Sequence, residues 1–515
     1  MNREALRQLT EIGINVAPEA AQRLEENDIE RIQRLDTDPM YLSGPMLDRL
    51  REAVDLPSEV EVESKDQVVV QSQSDGQQNA GGAKQETHTD SDSARNVGGG
   101  IELEDSGRRN SLETKVEILD DHEITKKEKD VPEFLEYYND RYDRMKEMLT
   151  RRKELQSATT LNRLSRRDEG EQAAAIGLVS DKYSTNSGRY IVELQDKTGS
   201  FKVLVDGDEG DRLVPDEVIG VTGSMGDDIV FANQVVHPDL PIPDGVNTTQ
   251  QEVQAAYISD LHIGSQDTMH DALDRFGDWL RSDEASNIGY LVIAGDIVEG
   301  VGVYPGQEEE LEITDVYRQY RRFEEWAEKL PDRIELIIGP GNHDVVRLAE
   351  PQPTLPEKAF DNIHTWDNVH LVQNPQTVRL HGIRSQGIKH LMYHGMSYDD
   401  HVSRIKELRE NAYDQPEYVM EDLLKRRHVA PSYGSNPLSP EGTDAMVIEH
   451  EPDVFVSGHF HSHCDESYKG VNMICSSSFQ SQTDYQKRVG HQPQPGIVTI
   501  MDFETRKTTT KKFKQ

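Results

Sequence analysis

Cysteine occurs only twice in 515 residues, at Cys464 and Cys475, which excludes a disulfide framework and a cysteine-rich zinc site. Long apolar runs are missing as well. None reaches the roughly 18 residues that a membrane span requires, and the opening "MNREALRQLTEIGINV" lacks the apolar centre of a secretion signal. These absences predict a soluble, cytoplasmic chain with no membrane partner. Basic charge is scarce. Lys and Arg number 56 against 95 Asp and Glu, a formal net charge of −39, and the acidic residues are spread along the chain instead of gathered in a tail. Such a surface repels itself until salt screens it, and at 1 M the Debye length shrinks to about 3 Å. The composition therefore predicts a halophilic protein.

What is present divides the chain into segments. Residues 1–56 contain helix-like stretches, "REALRQLTEIG" and "PEAAQRLEEND", broken by Gly13 and Pro18, and suit a small helical domain. Residues 57–112 include "SQSDGQQNAGGAKQETHTDSDSARNVGGG", which cannot bury enough apolar surface to fold and reads as a disordered acidic and polar linker. Residues 113–165 read as a helical connector, with Phe134, Tyr138, Tyr142 and Met145 at helical spacing. Over 166–245 the period changes to two. Tyr190, Val192 and Leu194 alternate, "DKTG" turns the chain, and Phe201, Val203 and Val205 alternate again. Five or so short strands in this stretch predict a small barrel of the OB-fold kind. Over 250–515 the apolar runs "AAYIS", "YLVIAG", "ELIIG", "HLMYHG" and "DVFVSG" alternate with helical stretches, an α/β layered domain.

Every one of those five runs ends in side chains that bind metals. "YISDLH" supplies Asp260 and His262, "IAGDIVEG" Asp296, "GPGNHD" Asn342, His343 and Asp344, "MYHG" His394, and "VSGHFHSH" His459 and His461. A lone His or Gly-Asp after a strand is usually structural, but five such endings in the same relative position point to one crevice at the carboxyl ends of the strands. His463 and Cys464 read as supporting or packing positions. His270, His364, His370 and His381 read as surface or structural histidines.

The ordered set DxH, GD, GNHD, His and GHFH resembles the calcineurin-like metallophosphoesterase superfamily across residues 255–465. The resemblance implies a two-metal centre, with Asp260, His262, Asp296 and His461 on one ion and Asp296, Asn342, His394 and His459 on the other, so that Asp296 bridges. Mixed nitrogen and oxygen ligation suits Mn²⁺, Fe²⁺ or Zn²⁺, with Mn²⁺ the first choice. Two such ions roughly 3.5–4 Å apart serve in-line displacement at phosphorus. The resemblance also assigns His343 to the transition state and makes Asp344 its orienting neighbour, although a helix cap explains Asp344 equally well.

The segment "GVGVYPGQEEELEITDVYRQYRRFEEWAEKL", the context "MYHGMSYDD", the stretch "LLKRRHVAPSYG" and "SSSFQSQTDYQKRVGHQPQPG" narrow the likeness. Over about residues 130–500 the chain looks like the small subunits of archaeal family D DNA polymerases. That resemblance implies an OB-fold joined to a calcineurin-like β-sandwich with flanking helices, the whole an α+β multi-domain protein. It also implies 3′→5′ proofreading exonuclease activity on single-stranded 3′ ends and a large polymerase subunit as partner. Lys425, Arg426 and Arg427 are the candidate DNA contacts; a solvated helix end is the alternative. Two other functions compete: a catalytically silent scaffold subunit and a stand-alone phosphodiesterase.

Overall fold

A computed structural model describes residues 15–16, 41–42, 112–119, 122, 124, 131–383, 386–434 and 436–514. The chain divides into two compact units, Met1–Glu102 and Leu103–Gln515. In the first, the described residues are two short parallel strands, Asn15–Val16 and Tyr41–Leu42. The helical domain expected over 1–56 and the linker expected over 57–112 otherwise lie outside the described residues, apart from Leu112.

The second unit contains two six-stranded sheets and a closed barrel. The first sheet runs Val369–Leu371, Glu335–Gly339, Ile288–Ala294, Gln254–Ile258, Ile497–Asp502, Thr508–Lys512. Its first four strands are parallel. Ile288–Ala294 is buried along its whole length, as a strand covered on both faces must be, and its run "IGYLVIA" shows no alternation for that reason. The second sheet runs Cys464–Tyr468, Val471–Cys475, Val454–Ser457, Ile388–Met392, Gln376–Leu380, Val116–Ile118.

Residues two apart on the strands separate into layers. Ala255, Tyr257, Tyr290 and Val292 of the first sheet share one core with Val378, Met392, Val454 and Val456 of the second, so the sheets pack face to face. The alternate residues of the first sheet, Ala256, Ile258, Leu291 and Ile293, pack on Phe276, Tyr320, Phe323 and Trp326 from the helices His270–Leu280 and Val316–Ala327. Those of the second, Leu391, Phe455 and Met473, pack on Val402, Leu408, Val419 and Leu423 from three further helices. The result is a helix–sheet–sheet–helix sandwich.

The barrel is formed by Gln172–Ser184, Tyr190–Asp196, Gly199–Val205, Ile229–Val236 and Val218–Met225 in that spatial order. All its pairs are antiparallel except Gly199–Val205 with Ile229–Val236. Closure leaves no edge to aggregate, and Val192, Leu194, Val203, Val205, Val221 and Val230 fill the inside.

The helix Val131–Thr150 lies against the barrel through Tyr142, Met145 and Leu149. Just before it, the structure differs from the expected helical connector: Val116–Ile118 is a strand, the edge of the second sheet, paired with Gln376–Leu380. Three residues carry too little pattern to reveal a strand whose partner is 262 positions away.

Candidate metal centre

The loops that follow the parallel strands bring the candidate ligands together. Asp260 and His262 follow Gln254–Ile258, Asp296 follows Ile288–Ala294, and Asn342 and His343 follow Glu335–Gly339. Across the sandwich, His394 follows Ile388–Met392, and His459 and His461 follow Val454–Ser457. The ligand atoms of Asp260, His262 and His461 lie within 4.8 Å of one another, as do those of Asp296, His394 and His459. Asp296 stands between the two groups: its Oδ2 is 3.2 Å from His394 Nε2 and 3.8 Å from His262 Nε2. Asn342 Oδ1 is 3.0 Å from His394 Nε2.

This convergence strains the backbone. Asp260, His262, Asp296, His459 and His461 all adopt positive φ, at 52°, 47°, 51°, 69° and 55°, a region that non-glycine residues occupy at a cost of about 1–3 kcal/mol each. Glycines clear the remaining space. A Cβ at Gly458 would lie 2.3 Å from Asp260 Oδ2, and one at Gly341 would lie 2.2 Å from Asp296 Oδ1.

The hydrogen bonds behind the ligands define which atoms face inward. His394 Nδ1 donates to the Ala294 carbonyl at 2.8 Å, which turns its Nε2 toward Asp296 Oδ2 and Asn342 Oδ1. His262 Nδ1 sits 2.9 Å from Glu299 Oε2, and its Nε2 is 3.1 Å from His461 Nε2. The far nitrogen of His461 is engaged by Gln486 at 3.0 Å. Imidazole nitrogens, carboxylate oxygens and the Asn342 amide oxygen thus converge within 3.0–3.3 Å inside a buried pocket, a set of side chains that suits divalent metals. The residues present fit two divalent metals.

Electrostatics within the pocket follow the same logic. Burial opposes the charge on Asp260 and Asp296, but the imidazoles around them outweigh it and hold both carboxyls well below the usual range. Burial likewise disfavours charge on His394, and Asp296 overcomes it, raising that imidazole to about 9.

His343 is 18% exposed along its side chain. Its Nδ1 donates to the Glu299 carbonyl at 2.8 Å, its ring centroid is 4.8 Å from that of His262, and its backbone N–H donates to Asp296 Oδ1 at 2.8 Å. It also comes within ligand reach of His262 and Asp296. Asp344 does not orient the His343 ring. Its carboxylate accepts from Gly341 N–H at 2.8 Å, from the N–H groups of Ile297 and Val298, and from Tyr320 Oη at 2.9 Å, tying the Asn342 loop to the Asp296 loop. Burial, with Asp296 nearby, pushes the Asp344 carboxyl up to about 6.

Two supporting carboxylates escaped the reading of the sequence. Glu299, three residues beyond Asp296, holds His262 and accepts from Gln307 and Gln480. His262 and His343 offset its burial and bring it down to about 2. Asp399, five residues beyond His394, meets His459 Nε2 at 3.0 Å. The signal available was position alone: each lies shortly after a candidate ligand, Glu299 in the loop of Asp296 and Asp399 in the first turn of the helix that follows His394.

The basic cluster sits elsewhere and needs correction as a DNA contact. Arg426 and Arg427 are buried, each 3% exposed. Arg426 pairs with Asp422 at 2.7 Å and with Glu217 of the barrel. Arg427 donates to the Ile448 and Glu449 carbonyls, both at 2.8 Å. Guanidinium groups enclosed this way cannot reach a phosphate. Lys425 stays partly exposed and pairs with Glu421 at 2.6 Å. His463 meets Thr499, and both cysteines are buried. No helix among the described residues is long and apolar enough to cross a membrane.

The family of DNA polymerase alpha/epsilon B subunits matches residues 255–466, a span that includes every candidate ligand. A DNA polymerase II small subunit from Halobacterium salinarum is 40% identical, over 74% of this chain and 75% of its own length. Those from Methanocaldococcus jannaschii and Methanothermobacter thermautotrophicus are 35% and 36% identical, covering 76% and 72% of this chain and 68% and 78% of theirs. With its fold, its pocket and these relatives together, the chain belongs to the family of archaeal DNA polymerase II small subunits.

Proposed function

We propose that the chain assembles with a large catalytic polymerase subunit and hydrolyses phosphodiester bonds at single-stranded 3′ ends, as a proofreading exonuclease. The observation that carries this reading is the buried pocket in which imidazole nitrogens, a carboxylate oxygen and the Asn342 amide oxygen converge at 3.0–3.2 Å. The sandwich is read as calcineurin-like and the barrel as an OB-fold; the strand order and the single parallel pair of the barrel support the latter. Asp260, His262, Asp296 and His461 would hold one cation, and Asp296, Asn342, His394 and His459 the other. Bound there, Mn²⁺, Fe²⁺ or Zn²⁺ would supply Lewis acidity toward the phosphoryl group and an acidified water.

The chain's own residues do the rest. Asp344 and Gly341 hold the Asn342 and Asp296 loops in register. The Glu299 carbonyl accepts from His343 Nδ1 at 2.8 Å and sets the orientation of the ring, leaving Nε2 as the nitrogen that exchanges a proton with substrate. That ring can then give its Nε2 proton to the leaving 3′ oxygen.

The test measures metal content and release of 3′-terminal nucleotides from end-labelled DNA, with Mn²⁺ and the large subunit present. Asp296→Ala should lose metal and activity together. His343→Ala should keep its metals and lose about 10²–10⁴-fold in rate. The match to a family of polymerase B subunits keeps a silent scaffold in view. Wild-type protein that holds two metals and releases no nucleotide would establish the scaffold and end the nuclease reading.

A further inference from the structure

The segment 481–494, which meets His461 at the edge of the cluster, has no part in the chemistry above. Thr483 starts the helix Asp484–Val489 with a complete capping box, yet the helix buries none of its residues. Its inner side is tied to the ligands. The Gln486 amide meets His461 Nδ1 at 3.0 Å, and Gln494 N–H donates to the His461 carbonyl at 2.9 Å. His491 packs on Tyr413, ring centroids 4.2 Å apart; the Tyr413 hydroxyl donates to Asp399, the carboxylate that meets His459.

The outer side faces solvent. Tyr485 is 59% exposed and Val489 47%. They lie one turn apart with Arg488 beside them, on one face of the helix. Lys487, held by Asp484 at 2.9 Å, is also exposed. In a chain of net charge −39, the stretch 485–491 contains two cations and no acid. A polyanion approaching so acidic a chain needs a local basic entry, and unstacked bases need an aromatic ring. Both stand here, on a helix bonded directly to one candidate ligand, His461.

We infer that the helix Asp484–Val489 is the platform on which a single-stranded DNA end lies, with Tyr485 stacking a base and Arg488 and Lys487 meeting the backbone phosphates. The inference rests on the nuclease reading and adds the place where the strand enters.

The experiment compares the wild-type full chain with Tyr485→Ala, Tyr485→Phe and Arg488→Ala. Anisotropy of fluorescein-labelled oligo(dT) reports binding, and nucleotide release with Mn²⁺ reports turnover. Tyr485→Ala and Arg488→Ala should weaken oligo(dT) binding about 10-fold, raising KM more than they lower kcat. Arg488→Ala should also reduce the salt slope of binding by about one. Tyr485→Phe, which keeps the ring, should recover most of the affinity. The loss on bis(p-nitrophenyl) phosphate, which offers no base, should be smaller than on DNA. Wild-type oligo(dT) affinity in both alanine variants overturns the proposal. So does weakened association with the large subunit at unchanged oligo(dT) affinity, which would make this face a subunit contact. Tyr485-dependent binding without nucleotide release leaves the platform standing and removes the nuclease reading instead.

Discussion

Two clusters of buried polar side chains occur in the same compact unit, and they close in opposite ways. At the junction of barrel and sandwich, each guanidinium meets acceptors. Arg141 donates to Asp444 at 2.6 Å, to the Pro431 carbonyl at 2.6 Å and to the Asp216 carbonyl at 3.0 Å. Arg426 donates to Asp422, to Glu217 and to the Arg212 carbonyl. The pocket at the strand ends instead gathers imidazole nitrogens and carboxylate oxygens, groups that exchange protons or bind metals, at 3.1–3.3 Å from one another. Buried polarity alone therefore does not mark a reactive site. The junction pairs each guanidinium with oxygens of fixed role, whereas the pocket gathers imidazoles and carboxylates into a set that would suit a divalent metal.

If that distinction is right, breaking the junction should cost stability and spare the metals. Arg426→Ala leaves Glu217, 4% exposed, without its counter-charge. Removing one partner of a buried pair costs about 3–5 kcal/mol. The unfolding midpoint in urea should fall accordingly, while metal content per chain stays at the wild-type value. Loss of metal in proportion to loss of stability would mean that the two clusters are one cooperative system.

The junction should also carry its own pH dependence. His428 is buried, its Nδ1 accepts from Ala430 N–H and its Nε2 donates to Asp444 at 2.9 Å. Burial, with Arg141 nearby, lowers its pKa to about 4. The unfolded chain takes up this proton near pH 6.5, and the folded chain does not until about pH 4. Stability is therefore lost as pH falls across that window, by up to about 3 kcal/mol at 1.36 kcal/mol per unit. His428→Gln keeps a donor to Asp444 without a titrating group, so its unfolding free energy should fall less over the same window. Measuring the difference between the two proteins, both in chelator, cancels the histidines of the pocket. Parallel curves would refute the assignment.

Legibility in the sequence divides along the same line. Each ligand follows directly on an apolar strand, a local signal, so Asp260, Asp296, His394 and their neighbours could be read without knowing what they face. Arg426 and Arg427 could not. Written as "LLKRRH" they look like a basic patch, because Glu217, one of the two carboxylates that enclose Arg426, lies 209 positions earlier. Barrel strands showed themselves by alternation at Tyr190–Leu194 and Phe201–Val205. The sandwich strand Val116–Ile118 did not, since pairing with Gln376–Leu380, and not its own three residues, makes it a strand. Asp344 was visible as a candidate but not as what it is, a tie between two loops, because its partners come from three separate segments.

Glu299 sharpens the comparison most finely, because it is a carboxylate of the pocket that behaves like one of the junction. It is bound to donors on every side: His262 Nδ1 at 2.9 Å, Gln480 Nε2 at 2.9 Å and Gln307 Nε2 at 3.1 Å. A glutamine at this position keeps the shape and one acceptor oxygen, but it withdraws the negative charge that would make His262 a stronger ligand. Partners of this kind change metal affinity by about 10–100-fold, equivalent to about 1.4–2.7 kcal/mol. Glu299→Gln should therefore weaken Mn²⁺ binding by that factor in a titration followed by calorimetry. Its thermal unfolding in chelator should stay close to wild type, since the substitution leaves the packing in place. Affinity unchanged with stability lost would place Glu299 with the arginines, as architecture. Affinity lost with stability kept places it with His262, tuning a centre it never touches.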